Sequence, residues 1–112
     1  MKYVILIMNT QNGSLLTDEQ RDAWMTDVMA WYDKLRGEKV VEAGHQLDSA
    51  AKARTVRSGG VTDGPFMETK EVLGGYSVLE ADTVDEAVEI AKTWPGVDRG
   101  WITIEVRPVV EN

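Results

Sequence analysis

The chain has 112 residues, with 12 Lys or Arg, 19 Asp or Glu, one His and no Cys, for a formal net charge of -7. One domain of an ordinary folded protein fits this length and its 43% hydrophobic, 28% charged composition. The acidic balance speaks against nucleic acid and anionic membranes as partners, and missing cysteine removes disulfides, thiol catalysis and thiolate-held metals.

Lys2 to Asn9 is expected to be a strand, and Tyr3 to Met8 is apolar on both parities, as in a strand covered on both faces. Six apolar residues are too few for a membrane span or a secretory core, so a cytoplasmic location is the expectation. Thr10 to Leu16, with Asn12-Gly13-Ser14, reads as a loop. Thr17 and Gln20 have capping-box spacing and open a helix, with Asp18 and Glu19 at its positive end. Trp24, Val28, Trp31 and Leu35 form its apolar stripe, with Tyr32 beside it, and Gly37 fits a left-handed stop. A short strand over 39–43, a loop over 44–49 and a strand over 52–57 follow. Ser58-Gly59-Gly60 then turns the chain into Val61 and Thr62. Asp63 to Glu71 reads as a loop. Leu73 to Glu80 reads as a strand whose Gly74-Gly75 pair marks a bulge or a close backbone approach. Thr83 and Glu86 form a second capping box, opening a helix with Val84, Ala87, Val88, Ala91 and Trp94 on its apolar face, ended by Pro95-Gly96. In the last strand, from about Gly100 to Val106, Ile102, Ile104 and Val106 alternate with Trp101, Thr103, Glu105 and Arg107.

Two helices interleaved with mainly antiparallel strands make the expected fold an α+β ferredoxin-like sandwich. Both helices then cover one sheet face. The doubly apolar first strand requires a cover for the other face, and a second copy of the chain is the simplest one. The expected partners are therefore the chain itself, as a homodimer, and an unknown small molecule held between the sheets. Trp101, Thr103, Glu105 and Arg107 would face that space; alternatively Glu105 and Arg107 form an ordinary solvated edge.

The stretch from Val61 to Glu71, the segment Leu73-Gly-Gly-Tyr76 and the run Glu105-Val-Arg-Pro-Val109 resemble the YCII-related proteins. More narrowly they resemble the branch marked by a DGPFAETKE motif, which stands here as DGPFMETKE over residues 63–71. MKYVILI at the start and ARTVR at 53–57 also fit, so the resemblance spans essentially the whole chain. It implies a dimeric α+β barrel. Some relatives are similar to lyases that eliminate chloride from muconolactones. The other branch carries a proposed His–Asp active centre with its His on the first helix, whereas residues 18–36 hold no His here.

The lone imidazole, His45, is the side chain best suited to general-base work near neutral pH, and Asp63 is the candidate to orient it or share its proton. Asp63-Gly64-Pro65 is equally turn chemistry. Glu68, Thr69 and Lys70 are candidate ligand-binding groups or, with Glu71, a solvated face or dimer contact. No metal-ligand spacing, phosphate loop or nucleophile elbow is present, so neither metal nor cofactor is expected. The function expected is a homodimeric small-molecule-binding protein with cofactor-free lyase or isomerase chemistry if it is catalytic. The alternative is a non-catalytic ligand-binding, regulatory or protein-interaction module.

Overall fold

The doubly apolar first segment becomes strand β1 (Lys2–Asn9), which lies inside the sheet with a neighbour on each side. The computed structural model describes residues 1–65 and 71–111. After β1 come α1 (Gln11–Ser14), α2 (Asp18–Gly37), β2 (Val41–Gln46), a 3-10 turn (Ala50–Lys52), β3 (Arg54–Arg57) and β4 (Gly60–Asp63). The chain continues through β5 (Val72–Glu80), α3 (Val84–Lys92) and β6 (Ile102–Pro108). Four strands form an antiparallel sheet in the order β2-β5-β1-β6, while β3 and β4 form a separate two-stranded ribbon. The α+β ferredoxin-like arrangement is thus present, with the ribbon inserted between β2 and β5.

Alternation along β1 decides which face is which. Tyr3, Ile5 and Ile7 are buried, and opposite them on β5 lie Leu79, Ser77 and Gly75. Val28, Trp31 and Leu35 of α2, Ala91 of α3 and Trp94 join Ile5, Ile7, Leu79 and Ile102 in the main core. Val4, Leu6 and Met8 point to the other face and are only half-buried. On β6 the expected alternation holds: Ile102 is buried and Ile104 and Val106 half-buried, while Thr103, Glu105 and Arg107 are exposed.

Helix α2 is capped as its sequence predicts. Thr17 Oγ1 accepts from the Gln20 amide at 3.1 Å, and Gln20 Oε1 accepts from the Thr17 amide at 2.9 Å. At α3 the box is displaced by one residue: Thr83 Oγ1 accepts from the Glu86 amide, but the Glu86 carboxylate takes the Asp82 amide. The left-handed residue that ends α2 is Lys39 (φ 62°), not Gly37. The Val40 amide reaches back to the Leu35 carbonyl at 2.9 Å, and that closure places the positive φ two residues beyond the glycine.

Three segments differ from their expected form. The loop expected over 10–16 contains α1, because Thr10 Oγ1 accepts from the Gly13 amide and its hydroxyl reaches the Gly100 and Trp101 carbonyls. Ala50–Lys52 is a 3-10 turn capped by Ser49, so β3 starts at Arg54 and not at Lys52. Strand β2 begins later than expected and runs on to Gln46, which puts His45 in a strand opposite Tyr76, not in a loop. Gly44 makes that extension possible: a Cβ there would lie 2.5 Å from Ser77 Oγ and 2.9 Å from the Tyr76 carbonyl. The Gly74-Gly75 pair does mark a bulge, since the β1–β5 register skips Gly74 between Ile7 and Met8.

Candidate functional site

A cleft of about 410 Å³ opens between α2 and the ends of the strands. Arg21, Trp24, Met25, Val28, Met29, Tyr32 and Arg36 line its helical wall. They recur every three or four residues, so they form one stripe over four turns of α2. Ile7 and Asn9 of β1, Gly13 and Ser14 of α1, Gly74 and Gly75 of β5, and Gly44 to Leu47 form the other wall, and Trp94 also borders it. The glycines bring bare backbone to that wall. The volume suits a small organic molecule.

Three side chains make a hydrogen-bonded chain at the cleft. Trp94 Nε1 donates to the Tyr32 hydroxyl at 3.3 Å, and that hydroxyl is bonded to Ser77 Oγ at 2.5 Å. Because the indole can only donate, the phenol oxygen accepts from it and is free to give its own proton to Ser77. Ser77 is 0% exposed, so this bond satisfies a polar group inside the core. Trp31 and Trp94 each pack their rings nearly at right angles to Tyr32 and are tilted to one another, and the Arg36 guanidinium lies 5.6 Å from the Tyr32 ring centre. Trp24 donates to the Pro95 carbonyl at 2.7 Å, which fixes the far part of the aromatic wall.

His45 and Tyr76 meet on the opposite sheet face. Their side chains bond, His45 Nδ1 to Tyr76 hydroxyl, at 3.0 Å. The strand register sets His45, Tyr76, Leu6 and Glu105 in one row across that face, with Val78, Val4 and Arg107 in the next. His45 therefore borders the cleft with its backbone and presents its imidazole to the other side. Asp63 ends β4 on the ribbon, where it ion-pairs with Arg54 Nε at 3.1 Å and its side chain is 89% exposed. The structure thus gives His45 and Asp63 different partners. Glu105 and Arg107 pair with each other at 2.7 Å on the exposed edge, and Thr103 donates to Glu71 at 3.0 Å.

Trp101 does not share a face with Thr103, Glu105 and Arg107. It precedes β6 and packs on Trp24 of α2, with ring centres 5.3 Å apart, so strand alternation does not govern it. Glu68, Thr69 and Lys70 lie outside the described residues. A second, open groove of about 600 Å³ lies at the foot of the ribbon, between Leu47–Ala53 and Met8, Val72 and Leu73. Among the described residues no group of three or more His, Asp or Glu could hold a metal ion, and no helix is long and apolar enough to cross a membrane.

Tyr32 and Ser77 were not singled out by their sequence positions. Tyr32 stands beside the core stripe of α2 and reads as packing. Ser77 carried a usable signal: a hydroxyl on the inward parity of β5, between Gly75 and Leu79, requires a buried partner.

An α+β fold with a helix–sheet cleft is the class that fold and site define. A family model described as the YCII-related domain matches residues 1–111, and the chain belongs to that family. It is 30% identical over 114 residues to the uncharacterized protein R00369 of Rhizobium meliloti (strain 1021), covering 97% of this chain and 92% of that protein. Among solved structures it is similar to 5-chloro-2-hydroxyhydroquinone dehydrochlorinase (TftG) from Burkholderia phenoliruptrix AC1100, in complex with 2,5-dihydroxybenzoquinone. That similarity has a TM-score of 0.62 at 18% identity, over 100% of this chain and 96% of the other, and it is a likeness of fold.

Proposed function

We propose that this protein binds a small organic molecule in the cleft along α2 and acts on it as a cofactor-free lyase or isomerase. The observation that carries this is the Tyr32 hydroxyl, held between Trp94 and Ser77 at the wall of a cleft of about 410 Å³. An elimination or isomerisation next to a carbonyl builds negative charge on oxygen, and a fixed phenol donor stabilises such charge. The bond from Trp94 sharpens the phenol as a donor, and turning its O–H from Ser77 toward a ligand oxygen is the one movement required. The dehydrochlorinase of similar fold makes hydroxylated quinones the first ligands to try.

His45 favours a second site. Its bond to Tyr76, in a row with Glu105, sets an imidazole and a phenol together on the sheet face away from the helices. We assign a second copy of the chain to that face, since Val4, Leu6, Met8, Tyr76 and Val78 leave it apolar and only half-buried. In this version His45 is the general base, inside the dimer; Asp63, paired with Arg54, enters neither version. DGPFMETKE over 63–71 remains the ground for placing the chain in the DGPF-type branch.

Binding of 2,5-dihydroxybenzoquinone and chloride release from its chlorinated hydroquinone relatives, compared in Tyr32→Phe and His45→Ala, test these assignments. Loss in Tyr32→Phe with His45→Ala unchanged is the expected result. The reverse pattern moves the chemistry to the outer face. Binding without turnover in the parent protein supports a non-catalytic ligand-binding module.

A further inference from the structure

The cleft carries the opposite charge from the rest of the molecule. The chain has 19 acids against 12 bases, yet among the described residues those lining the cleft include Arg21 and Arg36 and no Asp or Glu. The uncharged polar groups there include the Asn9 and Gln46 amides and the Tyr32 hydroxyl, all able to donate. The described residues of this wall offer no carboxylate to neutralise a guanidinium facing the cleft.

The two arginines are not equivalent. They stand fifteen residues apart on one helix, so about 22 Å separates their backbones along the axis. One small molecule reaches only one of them. Arg36 lies 5.6 Å from the Tyr32 ring centre, at the end of the cleft where the Tyr32–Ser77 pair sits. Its contact with Asp33 is long, at 3.8 Å, and both side chains are well exposed, so the pairing holds it weakly. Arg21 takes part in none of the ion pairs among the described residues.

Resting on the cleft as the ligand site, we infer that its ligand is an organic anion: a flat apolar body beside Val28 and Tyr32, with a carboxylate or equivalent oxyanion on Arg36. Arg36 is the specificity-determining residue. Arg21 adds attraction at longer range, which salt screens. The fork of the guanidinium matches a carboxylate in two hydrogen bonds, and the ring beneath it keeps the fork oriented.

Calorimetric titration with 2-naphthoate and its uncharged near-isostere 2-naphthamide tests the inference. The acid is expected to bind at least about tenfold tighter than the amide, the scale of one hydrogen-bonded charge. That preference should shrink to about threefold or less in Arg36→Gln, and change much less in Arg21→Gln. In Arg36→Lys it should be partly restored, which a merely structural loss would not be. Circular dichroism confirms that each variant is folded. Equal binding of acid and amide by the parent protein overturns the anion inference and leaves the cleft standing as a ligand site. A preference that survives Arg36→Gln intact overturns the assignment to Arg36. Failure of both probes to bind counts against the cleft itself as well.

Discussion

Tyr32 on α2 and Ser77 on β5, forty-five residues apart, share a hydrogen bond that joins the long helix to the sheet directly beside the cleft. Removing either hydroxyl strands the other. Tyr32→Phe leaves Ser77, 0% exposed, and the Trp94 indole N–H without this partner, and is expected to cost about 1–3 kcal/mol. Ser77→Ala should cost a similar amount, and the double variant less than the sum, by about 0.5–1.5 kcal/mol. Urea unfolding of the four proteins measures this. Strict additivity would mean that the two hydroxyls do not act as a pair.

Gly44 is the backbone counterpart of that bond. Gly44→Ala places a Cβ 2.5 Å from Ser77 Oγ and 2.9 Å from the Tyr76 carbonyl, so β2 must shift away from β5. A destabilisation of about 1–3 kcal/mol is expected, as for overpacking elsewhere. Ser77→Ala should relieve only part of it, because the Tyr76 carbonyl stays in place. A Gly44→Ala protein as stable as the parent would contradict the β2–β5 register.

Local signals set much of this fold. The central strand β1, the starts of α2 and α3 and the alternation of β6 follow from residues close together in sequence. What the local pattern missed depended on distant partners. Strand β2 runs to Gln46 because β5 offers a template there and Ser77 tolerates only a glycine beside it. Thr10 to Ser14 coils because the Gly100 and Trp101 carbonyls, ninety residues on, hold Thr10. The same applies to the candidate site. His45 and Tyr32 were both visible as residue types, but only the register shows that the imidazole faces away from the cleft and only the packing shows what the phenol touches.

The cap of α2 offers a simpler test. Thr17→Ala removes both the acceptor for the Gln20 amide and the geometry of the return bond, and should lower stability by about 1 kcal/mol. Thr83→Ala should cost less, because the Glu86 carboxylate there holds the Asp82 amide and would survive the change. Chemical denaturation distinguishes the two.

Asp48 should titrate below the ordinary Asp range. Its carboxylate accepts from the Lys52 ammonium at 3.0 Å and from the Ser49 amide at 2.7 Å, and both favour the charged form. A depressed folded-state value means that its contribution is present above the unfolded value and is lost as pH falls through the folded one. The side chain is well exposed, so the readout is its own titration by NMR rather than a melting temperature. Lys52→Ala should move that titration upward; an unchanged curve would mean that the ion pair does not form in solution.

The outer sheet face should hold a second copy. Sedimentation velocity is expected to show a dimer, and Leu6→Glu, in the row with Tyr76 and Glu105, should yield a folded monomer. A parent protein that sediments as a monomer at high concentration removes the dimer from the functional model, and with it the enclosed His45 site.

The most direct test of the cleft is where a bound ligand is felt. In a 1H–15N spectrum recorded during titration with 2,5-dihydroxybenzoquinone or 2-naphthoate, the indole signals of Trp24 and Trp94 should shift together with the Gly44, Gly74 and Gly75 amides. The imidazole of His45 should be little affected. Shifts centred instead on the His45 ring, Tyr76 and Leu6, with both indoles unmoved, would contradict a ligand site between α2 and the sheet.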